Sequence, residues 1–178
     1  PLSRVKQWGP PRLVAEGRKM PYIIASPQCP PKPDSWRDLR QQVKLVLLIR
    51  HLEATLAVDK SRMYLTGLSM GGEGSWTLAC HWPEKFAAVA PICGKNDPDQ
   101  AGKLTNLPIW AWHGTADTVI VPKYSREMVA EIRKAGGRRA RLTMLPEIGH
   151  NSWSAAYATP ELYSWFNKHQ TQVTRSKE

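Results

Sequence analysis

The sequence predicts an α/β fold, in which a mostly parallel sheet is flanked by helices on both faces. Two observations lead to this prediction. Short apolar runs of strand character alternate along the chain with longer segments of helical periodicity. Strands that alternate with helices pair in parallel and are covered on both faces. With 178 residues, 42% of them hydrophobic, the chain can bury one core, so we expect a single domain over residues 1–178.

The first part of the chain predicts one strand, one loop and one long helix. Residues 21–26 are an apolar run before a proline, which is typical of a buried strand. Residues 28–33 are proline-rich and predict a loop. Ser35 followed by Asp38 resembles a capping box and predicts a helix that continues to about residue 57. The expected apolar face of this helix is formed by Leu39, Val43, Val46, Leu47 and Leu56.

The remainder of the chain predicts four further strands with intervening helices. The expected strands are residues 62–68, 86–92, 108–113 and 140–145. The expected helices are residues 72–81, residues 125–135, and a last helix that begins at Pro160 with Thr159 as its N-cap. A glycine pair follows the second of these helices and is a typical stop signal. The buried face of the last helix would be formed by Leu162, Trp165 and Phe166.

The segment from Gly67 to Gly71 fits the pattern G-x-S-x-G and lies between a predicted strand and a predicted helix. Strand, sharp turn and helix are the context of a nucleophile elbow, in which a strained turn raises the serine hydroxyl above the sheet. We expect Gly67 and Gly71 to let strand and helix approach without a Cβ clash. A Gly-Ser-Gly cluster is also an ordinary turn, so the assignment of Ser69 as a nucleophile depends on the rest of the chain.

An acid and a histidine follow later strands in the order that such a nucleophile needs. Sites in parallel sheets lie at the carboxyl ends of the strands. Ser69 follows the second predicted strand, Asp117 the fourth and His150 the fifth. This chain order of serine, acid and histidine is that of an α/β-hydrolase catalytic triad. A histidine can accept the serine proton, and the acid fixes the histidine tautomer.

Other residues compete for the role of the acid. Asp97 and Asp99 follow the third predicted strand, and Glu147 lies close to His150 in sequence. Of the remaining histidines, His113 precedes Gly114 and is expected to support the loop that carries the acid. His51 and His81 lie on predicted helices and are expected to be surface or packing residues, and His169 lies near the end of the sequence.

These segments resemble the α/β-hydrolase superfamily, and more closely its compact bacterial esterases of the predicted-peptidase and phospholipase/carboxylesterase-like group. The matching segments are residues 26–30, 64–72, 90–94, 112–114 with Asp117, and 149–153. The resemblance implies a carboxylic ester hydrolase that works through an acyl-enzyme. It implies Ser69 as nucleophile, His150 as general base and acid, and Asp117 as the residue that orients the imidazole. It further implies that the backbone N–H of Met70 is one oxyanion-hole donor.

The sequence departs from this family at its beginning. The family has earlier strands, one of which ends in a His-Gly loop with the second oxyanion donor, and this sequence starts about where that loop would finish. We therefore expect an N-terminally truncated or minimal form of the fold. Three explanations are open: a segment of the protein is omitted from this sequence, two neighbouring strands pair directly, or another chain supplies a strand. In the third case the protein would be a homo-oligomer. A replacement oxyanion donor is expected in the loop of residues 28–33.

The substrate class is predicted from the short connection after the third strand. Residues 94–107 leave no room for a lid domain, which favours short-chain or polymer-attached esters. Three tryptophans are candidates for the acyl or alcohol pocket, with simple packing as the alternative: Trp36, Trp76 and Trp153. The same triad would suit a peptidase or a thioesterase. A non-catalytic binding or scaffold protein with an incomplete oxyanion hole is the alternative from another class.

Charge and cysteine usage exclude further classes. The net charge of +10 includes a basic cluster over residues 133–141, but no nucleic-acid motif accompanies it, so we expect no nucleic-acid partner. No apolar run approaches ~20 residues, which predicts no membrane span. Cys29, Cys80 and Cys93 lack zinc-ligand spacing with the histidines, so neither a metal nor a cofactor is expected. No signal peptide is visible, and the sequence leaves the compartment open.

Overall fold

The computed structural model describes residues 2–31 and 34–171, and its centre is a parallel sheet of four strands in the order β1-β2-β3-β4. The strands are β1 Tyr64–Leu68, β2 Ala88–Ile92, β3 Ile109–Gly114 and β4 Ala140–Leu145. Each strand pairs in parallel with its successor along the chain. The α/β prediction is confirmed.

Helices connect and cover these strands. The α-helices are α1 Gly9–Ala15, α2 Leu39–Thr55, α3 Met70–His81, α4 Lys123–Lys134, α5 Trp153–Ala158 and α6 Pro160–Asn167. Short 3₁₀ segments lie at Leu2–Gln7, Lys60–Arg62, Pro83–Lys85 and Pro98–Leu104. Sequence patterns missed α1, whose second and third residues are prolines, and α5, whose six residues are too few to show a period. Within the described ranges, none of the helices combines the length and apolar character that crossing a membrane requires.

The alternation of side chains along the strands builds two cores, one on each face of the sheet. On the first face, Val89 and Ile109 pack with residues of α2, α3 and α4, among them Val46, Leu78 and Met128. On the second face the strand side chains pack with α5 and α6, and the members include Ile92, Trp110, Trp112, Tyr157, Leu162 and Phe166. The predicted triad residues follow the carboxyl ends of β1, β3 and β4.

The predicted first strand is absent. Residues 21–26 form no regular secondary structure, and the side chain of Ile23 is 59% exposed. The ring of Tyr22 instead packs edge-on against the ring of Tyr64, with 6.1 Å between the ring centres. The Tyr22 hydroxyl donates a hydrogen bond of 2.7 Å to the side-chain oxygen of Asn167. An apolar run forms a strand only where a neighbouring strand pairs with its backbone. Among the described residues, no strand pairs with the outer side of β1, which lies at the sheet edge.

The start of α2 follows the predicted cap in part. The Ser35 N–H donates to the Asp38 carboxylate at 2.6 Å, which is one half of a capping box. The Ser35 hydroxyl accepts from the N–H of Arg37 at 3.2 Å, so the reciprocal half is missing. The helix begins at Leu39, with Asp38 as its N-cap, and ends at Thr55.

The apolar face predicted for α2 is wrong. Four of its five residues are exposed, namely Leu39, Val43, Leu47 and Leu56. The helix turns Gln41, Gln42 and Val46 inward instead. The inward side packs on α3, where the Gln42 amide donates to the backbone carbonyls of Trp36 and Gly74, while none of the described elements covers the side with the four exposed residues.

The glycines around the elbow differ in whether the structure leaves room for a Cβ atom. A Cβ on Gly67 would collide with the backbone of Gly71, as expected from the motif, and a Cβ on Gly72 would collide with the Ile92 carbonyl oxygen. A Cβ on Gly71 would meet no atom within 4 Å. The close approach of α3 to the sheet therefore depends on Gly67 and Gly72, and the expectation for Gly71 is wrong.

We predict opposite effects of alanine at two adjacent positions of α3. Gly72→Ala should lower the free energy of unfolding by at least about 1–3 kcal/mol, because the methyl group forces α3 away from β2. Gly71→Ala should leave stability unchanged or raise it by up to about 1 kcal/mol, because alanine is the better helix former. Urea unfolding of both variants measures the difference. Equal losses of stability in the two variants would refute this packing account.

Candidate active site

Ser69 lies on a strained turn between β1 and α3. Its backbone has φ 52° and ψ −119°, a region that residues with a Cβ rarely adopt. The Ser69 N–H donates to the carbonyl of Ile92 at 3.0 Å, which ties the turn to the end of β2. Met70 follows as the first residue of α3, so its N–H has no acceptor within that helix. The local geometry is that of a nucleophile elbow.

The loops that carry Asp117 and His150 are held together by backbone contacts. The Thr115 N–H donates to the Leu145 carbonyl and the Ala116 N–H to the Ile148 carbonyl, each at 2.9 Å. A Cβ on Gly114 would collide with the Ile148 carbonyl oxygen, so this approach requires glycine there. The residues after β3 and β4 thereby face each other above the sheet.

The three residues predicted as a triad form one chain of hydrogen bonds. The Nδ1 atom of His150 lies 2.8 Å from Oδ2 of Asp117, and its Nε2 atom lies 2.9 Å from Oγ of Ser69. An ionised carboxylate only accepts, so Nδ1 carries the proton and Nε2 is free to accept from the serine hydroxyl. The Asp117 side chain is fully buried, while the His150 side chain is 21% exposed. The arrangement can transfer the serine proton to an imidazole that an anion orients.

Hydrogen bonds keep Asp117 ionised. Burial alone raises the pKa of this carboxyl group, but the bonds that it accepts outweigh burial and lower the pKa below its ordinary value. Besides the imidazole of His150, the donors are the N–H groups of Val119 at 2.9 Å and Ile120 at 3.0 Å, both to Oδ1. The carboxylate is therefore charged at neutral pH and fixed in orientation.

A second histidine supports the acid. His113 is fully buried, and its Nε2 atom lies 2.7 Å from the Ile120 carbonyl and 3.2 Å from Oδ2 of Asp117. The carbonyl only accepts, so Nε2 carries the proton, and Nδ1 accepts from the Ser125 hydroxyl at 2.7 Å. Burial lowers the pKa of His113, so the ring is neutral at pH 7. The expectation that His113 supports the acid loop is confirmed.

We predict that His113 stabilises the fold in a pH-dependent way. His113→Leu leaves the Ile120 carbonyl and the Ser125 hydroxyl without their ring partner, which should cost about 1–3 kcal/mol in the free energy of unfolding. His113→Gln should lose less, because the amide N–H can replace the Nε2–H. Urea unfolding at pH 7.5 gives the comparison, and equal losses in both variants would contradict the assigned hydrogen bonds.

The same residue predicts the direction of the pH dependence. Because the pKa of His113 is lower in the folded state than the ordinary ~6.5, the unfolded chain takes up its proton first. Wild-type stability should therefore decrease as the pH falls below ~6.5, and His113→Gln should show a smaller decrease. His169, whose pKa is lowered by burial and by neighbouring cations, contributes in both proteins. The exposed His51→Gln variant removes a different histidine and serves as the control.

The rival acids lie elsewhere. Asp97 is exposed and caps a 3₁₀ segment by accepting from the N–H of Asp99 at 3.0 Å. Glu147 is exposed, and its backbone N–H donates to the Thr115 hydroxyl at 2.9 Å. Within the described residues, the acid that contacts the His150 ring is Asp117.

The three candidate tryptophans have different surroundings. Trp76 is completely buried in the core between α3 and the sheet, so the prediction that it lines a substrate pocket is wrong. It lies on the inward face of α3, where packing on the sheet excludes solvent. Trp153 stands edge-on to the His150 ring at 5.3 Å, and half-buried Trp36 packs against Gly74 of α3. Substrate contacts of Trp36 and Trp153 stay predictions.

The oxyanion donors also stay predictions. The Met70 N–H is available at the start of α3, and the Met70 side chain is 40% exposed beside Ser69. The loop predicted to supply a replacement donor spans residues 28–33, of which residues 32 and 33 lie outside the described part of the chain.

Sequence reasoning missed a thiol beneath the triad. Cys93 follows β2 directly, has φ 40° and is fully buried. One ligand atom from each of Cys93, Asp117 and His150 lies within 4.8 Å of the other two. The rule that sites gather at strand carboxyl ends applies to β2 as well as to its neighbours, and it could have found Cys93. These three residues could hold a metal ion.

The basic cluster near the end of α4 is used in local structure. The Arg133 guanidinium donates to the Ala140 carbonyl at 3.1 Å, and Arg139 donates to the Asn106 carbonyl at 3.4 Å. The guanidinium of Arg141 lies 3.3 Å from the centre of the Trp110 ring. These contacts explain much of the cluster as the frame of the turn that leads into β4.

Comparison with known proteins agrees with this geometry. Residues 33–163 match the dienelactone hydrolase family. The chain belongs to this family. Among solved structures, a thermostable esterase superposes with a TM-score of 0.78 at 32% identity, covering 82% of this chain and 43% of that protein. The resemblance to esterases of the α/β-hydrolase superfamily is confirmed.

Two curated relatives of this dienelactone hydrolase family member extend the comparison. Feruloyl esterase D of Neurospora crassa is 32% identical over 103 residues, which cover 57% of this chain and 36% of the relative. Poly(3-hydroxyalkanoate) depolymerase C of Paucimonas lemoignei is 24% identical over 160 residues, which cover 71% of this chain and 39% of the relative. The chain thus spans less than half the length of these relatives.

Proposed function

We propose that this dienelactone hydrolase family member is a serine esterase that cleaves carboxylic esters through Ser69, His150 and Asp117. The observation that carries the proposal is the continuous hydrogen-bonded chain from carboxylate to imidazole to hydroxyl, with distances of 2.8 and 2.9 Å. Its position on an elbow at the carboxyl end of a parallel sheet supports the same conclusion.

The proposed reaction begins with proton transfer from Ser69. As Oγ attacks the ester carbonyl carbon, Nε2 of His150 accepts the hydroxyl proton, and the Asp117 carboxylate stabilises the resulting imidazolium. The Met70 N–H donates to the developing oxyanion, which is the kind of contact that lowers the barrier of acyl transfer. His150 then protonates the leaving alcohol. Water, activated by the same imidazole, hydrolyses the acyl-enzyme and restores Ser69.

The proposed substrates are short-chain or polymer-attached esters. The connection between β2 and β3 holds only the 3₁₀ segment Pro98–Leu104, so this connection supplies no lid over the site. A relative that is named as a poly(3-hydroxyalkanoate) depolymerase supports a polymer-attached ester as substrate. We further propose that residues 1–178 act as one domain without a lid; a homo-oligomer stays a prediction.

Hydrolysis of a series of p-nitrophenyl esters tests this function. We expect hydrolysis above the buffer background, with the highest kcat/KM for short acyl chains. A kcat/KM that increases towards long acyl chains would contradict the substrate class. The absence of any hydrolysis in the whole series would contradict the esterase itself.

A further inference from the structure

A buried thiol, an imidazole and a carboxylate meet directly below the elbow. Cys93, Asp117 and His150 come from three different loops, after β2, β3 and β4, and their ligand atoms all lie within 4.8 Å of one another. The sheet order explains the meeting, because β2 lies between the strand of Ser69 and the strand of Asp117. Zinc-ligand spacing is absent from the sequence, since the fold supplies each donor from a separate strand end.

The donor set suits a thiophilic divalent cation. Cysteine sulfur, histidine nitrogen and aspartate oxygen are the three ligand types of protein zinc sites, with bond lengths of roughly 2.0–2.3 Å. Because these ligand atoms all lie within 4.8 Å of one another, shifts of at most about 1 Å would let them share one ion. The present contact between Asp117 Oδ2 and His150 Nδ1, at 2.8 Å, would open slightly to admit the ion.

A second buried group points at the same place. The side chain of Ser152 lies beside the Cys93 thiol. Ser152 is completely buried, and among the described residues its hydroxyl has the Cys93 thiol as its side-chain hydrogen-bond partner. When the ion displaces the thiol proton, this hydroxyl can donate to the cysteine sulfur, and a hydrogen bond to a thiolate stabilises the metal-bound form.

We infer that Cys93, Asp117 and His150 form a site for Zn²⁺ or a similar thiophilic divalent cation, and that the bound ion switches the esterase off. The inhibitory part of this inference rests on the proposed function. Of the three side chains, His150 is the one with exposed surface, so the ion enters from its side.

The chemistry of binding explains the inhibition. The ion replaces the thiol proton of Cys93, which is released to solvent, and forms a metal–sulfur bond. If Nδ1 of His150 becomes the second ligand, its proton moves to Nε2, which then donates to Ser69 and cannot accept the hydroxyl proton. If Nε2 is the ligand, its lone pair binds the ion and cannot accept the proton of the Ser69 hydroxyl. In either case the imidazole no longer serves as the base.

Cobalt spectroscopy tests the site independently of activity. Metal-free protein is titrated with Co²⁺, and a thiolate-to-cobalt charge-transfer absorption is recorded. The matched control is Cys80→Ser, because Cys80 is also buried, and burial likewise raises the pKa of its thiol to about 11. We expect the absorption in wild type and in Cys80→Ser, and its loss in Cys93→Ser. Absorption that persists in Cys93→Ser would overturn the site.

A second variant keeps the test valid if Cys93→Ser does not fold. In Cys29→Ser/Cys80→Ser, Cys93 is the one remaining cysteine of the chain. We expect this double variant to retain the full cobalt absorption. Its absence, or the absence of the absorption in wild type, would overturn the proposal.

Zinc inhibition tests the functional consequence. Hydrolysis of p-nitrophenyl acetate is first measured with EDTA, and then with increasing Zn²⁺. We expect Zn²⁺ to inhibit wild type and Cys80→Ser equally, and Cys93→Ser to need at least ~10-fold more Zn²⁺ for half-inhibition. Equal inhibition of all three would contradict a role for Cys93. Absence of hydrolysis in EDTA would contradict the proposed function alone, because the cobalt titration still decides the metal site.

Discussion

Replacing Ser69 with alanine is expected to lower kcat for ester hydrolysis by roughly 10⁴-fold or more. The Oγ atom that accepts the acyl group is lost, and His150 Nε2 loses its partner at 2.9 Å. The remaining donors and the binding surface stay, so KM should change little. Initial rates on p-nitrophenyl acetate provide the measurement.

A matched serine variant makes the result interpretable. Ser164 is exposed on α6, and among the described residues its hydroxyl donates to the backbone carbonyl of Pro160 at 3.3 Å. Ser164→Ala should retain the wild-type rate within about twofold, as expected for a surface substitution. A Ser69→Ala rate within tenfold of wild type would show that hydrolysis does not pass through this serine.

Replacing Asp117 with asparagine is expected to lower kcat by roughly 10⁴-fold, as loss of the charged acid does in other triads. The uncharged amide no longer stabilises the imidazolium, and its NH₂ group can donate to Nδ1 and thereby favour the wrong tautomer of His150. The volume is unchanged and the Oδ1 contacts to the N–H groups of Val119 and Ile120 can persist, so the fold should survive.

The rival carboxylates provide the control for this variant. Asp97→Asn and Glu147→Gln change exposed side chains that do not contact the His150 ring, and each should keep kcat within about twofold of wild type. A larger loss of kcat in either variant than in Asp117→Asn would reassign the acid.

The sequence could predict that Ser69, Asp117 and His150 lie together, because their meeting depends on the topology of the sheet. In a parallel sheet, every residue directly after a strand lies at the same edge, so Ser69, Asp117 and His150 had to be neighbours once the strands were recognised. The close approach of the loops that carry Asp117 and His150 also depends on the residue type at position 114, because a Cβ there would collide with the other loop.

The wrong predictions come from contacts that no local pattern contains. The inward side of α2 carries the Gln42 amide, which donates to the Gly74 carbonyl in a different helix, and none of the described elements covers the apolar side. Trp76 is buried because of the direction in which α3 faces the sheet. Residues 21–26 have the composition of a strand, but strand formation depends on a partner that the described residues do not provide. Each outcome was decided by a neighbour distant in sequence.

Covalent labelling with a fluorophosphonate tests whether Ser69 is an activated nucleophile, because the reagent reports such a serine without any choice of ester. The protein is incubated with the reagent, and the adduct is located by intact-mass measurement and peptide mapping. We predict one adduct, on Ser69, that is absent from Ser69→Ala and forms far more slowly in His150→Ala. No adduct on the wild-type protein, or an adduct on another serine with Ser69 unmodified, would contradict it.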